Sequence, residues 1–358
     1  MKTNITIKQI ALESNVSMAT VSRYLNGTVT VSDEKRQQIE AVIEKYHFTP
    51  NTHARSLSSG RTMTLGIVIP DISNPYFYSL FLEIQKEANQ NGYTLLLYNT
   101  SFRQNDKESG EEEYFRKLIQ HRVDGALVLG GQIDLMSPSP SYLEALNRLG
   151  DSIPVVVMGH PVPGSSCHFL EPENGSGVTA VFHHLYSLGH REIAFLGGNA
   201  GVRITEIRLT AYRNLLSLHH LPEDPDHTVL TDYYAEDGYQ AALRLAEQSR
   251  SFTAVIAAND NVAIGAIRAF RDIGVSVPAD ISVASCDHFT AGEYSVPRIT
   301  GIVRDSTLLG RLFIHTLLRN IKKESGDISL ALSSYLLEAE SCRPPEPAEP
   351  AHNLNIYR

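Results

Sequence analysis

From Thr64 onward the sequence alternates short apolar runs with stretches of helical periodicity, and this alternation restricts the fold more than any other feature. The eight apolar runs lie at residues 65–69, 94–98, 126–129, 155–158, 193–196, 229–230, 254–257 and 281–284. The helical stretches lie near residues 76–91, 107–121, 140–150, 174–188, 203–219, 235–249 and 260–273. Continuous apolar strands between helices are typical of parallel sheets covered on both faces. Because the runs divide near residue 160, we expect an α/β body with two similar, doubly wound parallel-sheet lobes.

The composition is that of a water-soluble globular protein with two or three domains. The chain has 358 residues, of which 42% are apolar and 20% are charged, and a usual domain has about 150 residues. No window of about 18 residues is apolar and uncharged, so a membrane-spanning role is excluded. The N-terminal segment lacks the apolar core of a secretion signal. The three cysteines, Cys167, Cys286 and Cys342, are widely separated, and we expect reduced thiols in the cytoplasm.

Charge is distributed unevenly along the chain. Residues 1–62 contain eight Lys and Arg against five Asp and Glu, whereas the remainder contains 23 basic and 35 acidic residues. A basic head on an acidic body is the asymmetry expected when only one end approaches phosphates. The sequence therefore indicates that this head is the part that contacts nucleic acid.

The head carries the start signals of three short helices. Thr6 and Gln9 form a capping box for the first helix, and Ser17 and Ser32 cap the second and third. Two short helices joined by a tight turn and followed by a longer helix are typical of a small all-α helix-turn-helix domain. We expect this domain over residues 1–50, a hinge over 51–62, the body over 63–340 and a disordered, proline-rich tail over 341–358.

The predicted second helix has an exposed polar side. Val21 and Leu25 face inward, which leaves Met18, Ala19, Thr20, Ser22 and Arg23 outside. An arginine there can donate two hydrogen bonds to a guanine edge, and Thr20, Ser22 and Asn26 are short polar residues that hold phosphate oxygens. A solvated helical hairpin is the alternative interpretation. Because the caps, the turn and the basic charge coincide, DNA binding is favoured.

Several motifs resemble those of the lactose-repressor (LacI/GalR) family of bacterial regulators, and together they extend over about residues 3–340. In the head and linker they are TIKQIA at 6–11, VSMATVSRYLNG at 16–27, VS at 31–32, PN at 50–51 and ARSL at 54–57. In the body they are GIVIPDISNP at 66–75, RVDG at 122–125, LGHR at 188–191, AND at 258–260, AIGA at 263–266 and DISV at 280–283.

The resemblance implies a homodimer whose two heads read the half-sites of a palindromic double-stranded operator. Met18 and Ala19 match variable base-reading positions, and because both are apolar we expect contact with thymine methyl groups. Leu57 matches the leucine that wedges open the central minor-groove step, and the alternative is a leucine that packs on its own head domain. The DNA-contacting residues implied are Thr6, Ser17, Met18, Ala19, Thr20, Ser22, Arg23, Asn26, Thr30, Asn51, Arg55 and Leu57.

The body resembles the family's periplasmic-binding-protein fold, in which ligands lie beyond the carboxyl ends of the strands. Polar residues at those ends suit a polyhydroxylated ring, either a sugar or a nucleoside. The expected effector-binding residues are Ser73, Asn74, Tyr76, His160, Arg208, Asn259, Asp260 and Asp287. Of these, Arg208, Asn259 and Asp287 match the family's effector positions. The alternatives are an exposed helical salt bridge for Arg208 and turn capping for Asn259 and Asp287.

Three departures from the family pattern lie near the predicted cleft. Gly159-His160 replaces an acidic-basic pair, Ser285-Cys286-Asp287-His288 replaces a Gly-aromatic-Asp-Asp motif, and Ala211 replaces a glycine. We expect His160 to take a contact made elsewhere by a charged group. Glu171 lies in a predicted loop with no partner to shift its pKa.

Catalytic motifs are poorly supported, and we expect no enzyme activity, no cofactor and no metal. The sequence contains neither G-x-S-x-G nor a phosphate-binding lysine loop. The interpretation that fits best is a dimeric repressor of a carbohydrate-utilisation operon, controlled by a small sugar-like effector and with no membrane partner. The alternatives are a nucleoside- or purine-responsive repressor, or a solute-binding protein or enzyme on the same scaffold.

Overall fold

The computed structural model describes residues 5–25, 31–46, 48, 61–100, 110–171, 175–249, 251–324 and 334–346. They form two compact units, one of residues up to Thr64 together with Arg122–Asp124 and one of the remaining residues. None of the described helices combines the length and the apolar character needed to cross a bilayer.

The first unit contains the three predicted helices, α1 (Ile7–Glu13), α2 (Met18–Leu25) and α3 (Asp33–Tyr46). The predicted capping box at Thr6 is confirmed, because Thr6 Oγ1 accepts from Gln9 N at 3.3 Å and Thr6 N donates to Gln9 Oε1 at 3.1 Å. The first N–H groups of a helix have no partner within the helix, and these two bonds satisfy the N–H groups of Thr6 and Gln9, which fixes where α1 begins. The core beneath the helices consists of Ile5, Ile10, Ala11, Val16, Val21, Ile39 and Val42. The helix-turn-helix prediction is therefore confirmed.

Residues 122–124 of the RVDG motif belong to the first unit, where Asp124 contacts the segment before Thr64. Its Oδ1 accepts from Thr62 N at 2.7 Å and from Thr62 Oγ1 at 3.0 Å, and its Oδ2 accepts from Met63 N at 3.0 Å. These bonds hold Met63, whose φ of +53° is uncommon for a residue other than glycine. The three bonds thus fix the backbone of Thr62 and Met63 within the first unit.

The second unit is the α/β body, and its first lobe has one five-stranded sheet. The strands are β1 (Thr64–Ile69), β2 (Thr94–Asn99), β3 (Gly125–Leu129), β4 (Val155–Met158) and β5 (His168–Leu170), in the order β2-β1-β3-β4-β5. β1, β3, β4 and β5 run parallel, with Leu65 opposite Gly125 and Ala126 opposite Val155. The helices between them are α4 (Pro75–Gln90), α5 (Glu111–Gln120) and α6 (Pro140–Ser152).

The second lobe has a six-stranded sheet in the order β11-β10-β9-β8-β6-β7. Its strands are β6 (Ile193–Leu196), β7 (Thr228–Val229), β8 (Ala254–Ala257), β9 (Ser282–Ser285), β10 (Thr300–Arg304) and β11 (Ser334–Leu337). Its helices are α7 (Ser176–Ser187), α8 (Arg203–Leu218), α9 (Ala235–Gln248), α10 (Asp260–Asp272) and α11 (Thr290–Glu293). Apolar clusters cover both sheet faces, so the prediction of two doubly wound lobes is confirmed.

Helix α12 (Ser306–Lys322) returns from the second lobe to the first, where it packs on α4, β3 and β4. The approach to α4 is close, because a Cβ at Gly310 would lie 2.8 Å from the Cβ of Glu83. A larger residue at position 310 would push the two helices apart. The chain then crosses back to the second lobe to form β11.

The sequence prediction is wrong in two respects. It omits the helices α11 and α12 and the strands β5, β10 and β11. These strands are short or only partly buried, and β11 pairs antiparallel to β10 at the sheet edge. It also places disorder from residue 341, whereas Ser341 is fully buried and its Oγ accepts from Thr300 N at 2.9 Å. Arg343 N donates to Ser282 Oγ at 3.0 Å, so residues 341–346 pack on the second lobe. Residues 347–358 lie outside the described part of the chain.

Candidate functional site

The first unit presents one face of α2 to the surroundings. Val21 is fully buried, while Met18 is 54% exposed and Ala19 and Arg23 are also exposed. Thr20 and Ser22 are half-buried. The predicted division of α2 into an inward and an outward side is therefore confirmed for these residues.

Two of the predicted DNA-contacting residues also have local structural roles. Thr6 caps α1, and Ser17 Oγ accepts from Thr20 N at 3.2 Å and lies 2.8 Å from Thr20 Oγ1. Both are exposed residues at helix N-termini, where phosphate oxygens bind readily. The other predicted contacts, Asn26, Thr30, Asn51, Arg55 and Leu57, lie outside the described residues.

Acidic side chains of the first unit are engaged within the helical bundle. Glu13 accepts from Lys45 Nζ at 2.9 Å and from Tyr46 OH at 2.8 Å, and these hydrogen bonds lower the pKa of Glu13. Glu40 accepts from Tyr24 OH at 2.6 Å. These carboxylates have partners on other helices, and Arg23 is the charged residue of α2 and lies exposed.

A cavity of about 510 Å³ lies in the second unit, at the ends of strands from both sheets. Its volume is in the usual range for small-molecule sites. The predicted effector residues that line it are Asn74, Tyr76, His160, Arg208, Asn259 and Asp287. The sequence thus predicted six residues that the fold brings together around one cavity.

Arg208 and Asp287 form a buried ion pair in the cavity wall. Arg208 Nη2 lies 3.2 Å from Asp287 Oδ1 and 3.3 Å from Oδ2, and Arg208 also donates to the backbone oxygen of Ala258. Arg304, which the sequence analysis missed, donates from Nε to Asp287 Oδ1 at 3.1 Å. The pair joins α8 to the loop after β9, so the expected alternative of an exposed helical salt bridge is wrong. A carboxylate held between two guanidinium groups has a fixed orientation.

Asn259 and Asn74 act as helix caps. Asn259 Oδ1 accepts from Val262 N at 2.9 Å to cap α10, and its Nδ2 donates to Tyr233 O at 3.0 Å. Asn74 Oδ1 accepts from Tyr76 N at 3.0 Å to cap α4. The capping alternative therefore describes the contacts of Asn259, although both asparagines also face the cavity.

Asp260 does not line the cavity, and its prediction as an effector contact is corrected. Asp260 is fully buried, and its Oδ2 accepts from Phe289 N at 2.7 Å. Burial raises the pKa of Asp260 to about 7. The carboxyl group lies behind the cavity wall because α10 begins directly at this residue, and there it holds the loop that carries Phe289 to the cavity.

Ser73 is also absent from the cavity wall. It is exposed, and its backbone N and its Oγ each donate to Asp71 Oδ1 at 2.8 Å. Asp71 itself lines the cavity and accepts the hydroxyl hydrogen of Tyr234. Ser73 therefore positions a cavity residue that the sequence analysis missed.

His160 has a partner that was not predicted. Its Nδ1 lies 2.6 Å from Glu171 Oε1, and both side chains are about half exposed at the cavity. Glu171 was expected to have no partner, and this expectation is wrong. The two residues follow β4 and β5, which are neighbours in the sheet, so their side chains meet at its carboxyl edge.

Other cavity residues were missed although they carry the same signal, a position just after a strand or at the start of a helix. They are Asp134, Arg203, Asp232, Tyr233, Tyr234 and Phe289. Asp134 follows β3, and Asp232 follows β7. No group of three or more His, Cys, Asp or Glu residues able to hold a metal ion occurs within the described ranges.

Both the first unit and the second unit are similar to known proteins. Residues 6–51 match the family described as "Bacterial regulatory proteins, lacI family", and residues 182–342 match "Periplasmic binding protein-like domain". Catabolite control protein A of Staphylococcus xylosus is 31% identical over 323 residues, which cover 90% of this chain and 94% of that protein. The chain belongs to the lacI family of bacterial regulatory proteins.

A second relative within the lacI family is the HTH-type transcriptional repressor PurR of Glaesserella parasuis serovar 5. It is 31% identical over 334 residues, which cover 93% of this chain and 95% of that protein. In fold, the chain is similar to the lac repressor dimer bound to operator and the anti-inducer ONPF, with a TM-score of 0.81 at 22% identity, covering 95% of this chain and 100% of that one. As a lacI-family member, the chain is a DNA-binding transcriptional regulator with an effector-binding body.

Proposed function

We propose that this regulator is a dimeric repressor of a carbohydrate-utilisation operon, that it binds a palindromic operator, and that a small sugar-like effector controls it. The observation that carries the effector assignment is the carboxylate of Asp287 held between Arg208 and Arg304 in the cavity wall. Planar groups of this kind, fixed in orientation, suit the paired hydroxyl groups of a sugar ring. Tyr76, Tyr233 and Phe289 add aromatic surface for the apolar face of such a ring.

The operator is read by the outward face of α2. Arg23 supplies guanidinium donors for a guanine edge, and the exposed Met18 supplies apolar contact for a thymine methyl group. The predicted hinge residues Asn51, Arg55 and Leu57 contact the central minor groove in this proposal. Because the target is chromosomal DNA, the site of action is the cytoplasm.

Control follows from linkage between two binding sites. An effector that binds one arrangement of the lobes better than the other shifts the population toward it, and operator affinity changes by the same coupling factor. In some members of the family the effector weakens operator binding, and in others it strengthens operator binding. A titration determines which of the two applies here.

The experiment is a fluorescence anisotropy titration of the full-length protein against labelled palindromic duplexes. The duplexes are selected from a random pool, and the titration is repeated with candidate sugars at modest salt. We expect preference for a symmetric duplex over bulk competitor and a change in affinity with at least one sugar. No preference for any duplex would overturn the proposal.

The purine-responsive alternative is supported by the similarity to PurR and by the aromatic side chains in the cavity. Nucleobases stack on such rings. Thermal-shift measurements with adenosine, guanine and hypoxanthine beside simple sugars distinguish the two effectors. For an enzyme on the same scaffold, deletion of residues 1–60 would preserve the activity, whereas a regulator would lose DNA binding and retain effector binding.

A further inference from the structure

Three charged side chains in the cavity form no close ion pair in the described part of the chain, although Arg203 lies near enough to Asp134 to lower its pKa in part. They are Asp134, which follows β3, Arg203, which begins α8, and Asp232, which follows β7. None of the three has an oppositely charged atom of a described residue within 4.0 Å. The Nε of Arg203 is buried and has no hydrogen-bond partner among those residues.

Other charged groups at the cavity have close polar partners, and Asp71 accepts from the Tyr234 hydroxyl. Asp287 lies between Arg208 and Arg304, and His160 lies against Glu171. Asp305 accepts from Leu308 N at 2.8 Å and caps α12, where the helix dipole stabilises a negative charge. Asp134, Arg203 and Asp232 thus form a distinct set, whose members make no close ion pair with a described residue.

The two carboxylates are held in place, and each leaves one oxygen available. Asp134 Oδ2 accepts from Gly131 N at 3.2 Å, and Asp232 Oδ1 accepts from Asn199 Nδ2 at 3.1 Å and Tyr233 N at 2.8 Å. The second oxygen of each carboxylate accepts no hydrogen bond from a described residue. Fixed acceptors aimed at an enclosed space are the usual means of recognising ligand donors.

Keeping charges in such a place without partners costs free energy, and Asp134 shows the cost. Asp134 is partly open to the cavity but otherwise surrounded by protein, and this burial raises its pKa to about 7. Groups of this kind, converging on one cavity, occur where a ligand supplies the missing partners.

The chemistry of the set selects the ligand. Hydroxyl groups can donate to both carboxylates and accept from the guanidinium, so a polyhydroxylated neutral molecule satisfies all three residues. A phosphate or carboxylate would face a cavity wall whose described residues carry six carboxyl groups and three guanidinium groups, so negative charge is in excess. Like charges at close range in a partly desolvated site repel strongly.

We propose that Asp134, Arg203 and Asp232 bind hydroxyl groups of an uncharged effector and reject the phosphorylated or acidic form of the same molecule. This inference rests on the proposed function, because it takes the cavity to be the effector site. It narrows the effector to neutral polyhydroxylated compounds and makes these three residues specificity determinants.

The test uses the full-length protein and matched pairs of probes at equal concentration. The pairs are glucose and glucose 6-phosphate, ribose and ribose 5-phosphate, and adenosine and its 5′-monophosphate, measured by thermal shift and then by calorimetry. We expect a neutral member to bind at least about tenfold more tightly than its phosphate. Tighter binding of a phosphate, or no binding by any neutral member, overturns the inference.

The variants Asp134→Asn, Asp232→Asn and Arg203→Gln identify the residues responsible. We expect each variant to bind the neutral compound about tenfold more weakly than the wild type does. In the two Asn variants, the ratio of the affinity for the neutral compound to the affinity for its phosphate should also be smaller. Asp226→Asn, an exposed carboxylate outside the cavity wall, is the matched control and leaves both affinities unchanged. Unchanged neutral affinity in all three variants contradicts the inference.

Operator binding, measured in parallel, separates this inference from the proposed function. If a phosphorylated compound changes the affinity for the operator, the proposed function as a regulator stands, and the inference that the effector is uncharged is wrong. If no duplex is preferred, the proposed function fails whatever the cavity binds.

Discussion

The hydroxyl group of Tyr234, which precedes α9 in the second lobe, donates its hydrogen to the carboxylate of Asp71, which follows β1 in the first lobe. Both residues line the cavity, so this bond joins the lobes at the effector site. A second link is made by the backbone, where Met136 N donates to Gly201 O at 2.8 Å. The lobes are therefore held together partly by bonds that opening of the cavity would break.

Tyr234→Phe removes the side-chain link and leaves the aromatic ring. Hydrogen bonds to charged groups contribute about 1.5–3 kcal/mol, so we expect effector affinity to fall by about tenfold or more. We also expect a larger radius of gyration by solution scattering in the effector-bound protein. Tyr239→Phe is the matched control, since Tyr239 OH donates to the exposed Asp272 at 3.2 Å, away from the cavity wall. Equal affinity and equal radius in Tyr234→Phe and the wild type would contradict this role.

Arg23→Ala tests base reading by α2. Loss of an arginine contact to a guanine edge should cost about 1–3 kcal/mol of discrimination at one operator position. Anisotropy titrations against the selected duplex and single-base variants measure this cost. Arg36→Ala, on α3, is the control, because Arg36 lies near Asp33 and Glu40. An equal loss on selected and random DNA would show that Arg23 contacts only phosphates.

Glu111 gives the body a specific pH dependence. It is fully buried, its Oε1 accepts from Gln132 N at 3.1 Å, and burial raises its pKa from 4.5 to about 8. Between pH 4.5 and about pH 8, Glu111 is protonated in the folded protein and ionised in the unfolded chain. The free energy of unfolding therefore falls as the pH rises through this range. The loss is complete above about pH 8.

Glu111→Gln should therefore match the wild type at about pH 4.5 and exceed it in stability at pH 9, by up to about 5 kcal/mol. Urea denaturation across this pH range is the measurement. Glu112→Gln, which changes the neighbouring carboxylate at Ser141, should keep the wild-type slope. A Glu111→Gln curve parallel to the wild-type curve would show that Glu111 is ionised in the folded protein.

Truncation tests the packed segment after β11. A chain ending at Glu346 keeps Ser341 and Arg343, which bind Thr300, Val283 and Ser282, whereas a chain ending at Glu340 loses them. The shorter chain also removes the Arg343 oxygen that lies 2.9 Å from His190 Nε2. We expect it to be less stable by about 2–4 kcal/mol, because several buried polar groups lose their partners. Equal melting temperatures for the two chains would contradict this.

Local signals in the sequence predicted the parts of the fold that local physics determines. The cap at Thr6 depends on residues three positions apart, and the fully buried strands such as β3 are continuous apolar runs. The cavity residues Arg208 and Asp287 were found because they match a family pattern. Contacts between residues far apart in the sequence could not be predicted from such local signals.

Arg304 illustrates what the sequence could not indicate. It ends β10, whose sequence TGIVR is not a continuous apolar run, and its contact with Asp287 exists because β10 pairs beside β9. Asp260 illustrates the converse, since its neighbour Asn259 faces the cavity while Asp260 turns behind the wall. Whether a loop residue faces the cavity depends on where the following helix begins. Two consecutive residues can therefore point in opposite directions.

Helix α12 completes the first lobe from a position late in the chain, after nearly all of the second lobe. During synthesis on the ribosome, the apolar surfaces of α4 and β3 that α12 covers must wait for residues 306–322 to emerge. The first lobe therefore cannot finish folding before most of the second lobe has been translated, and a nascent chain stalled ahead of α12 would be the species most in need of a chaperone.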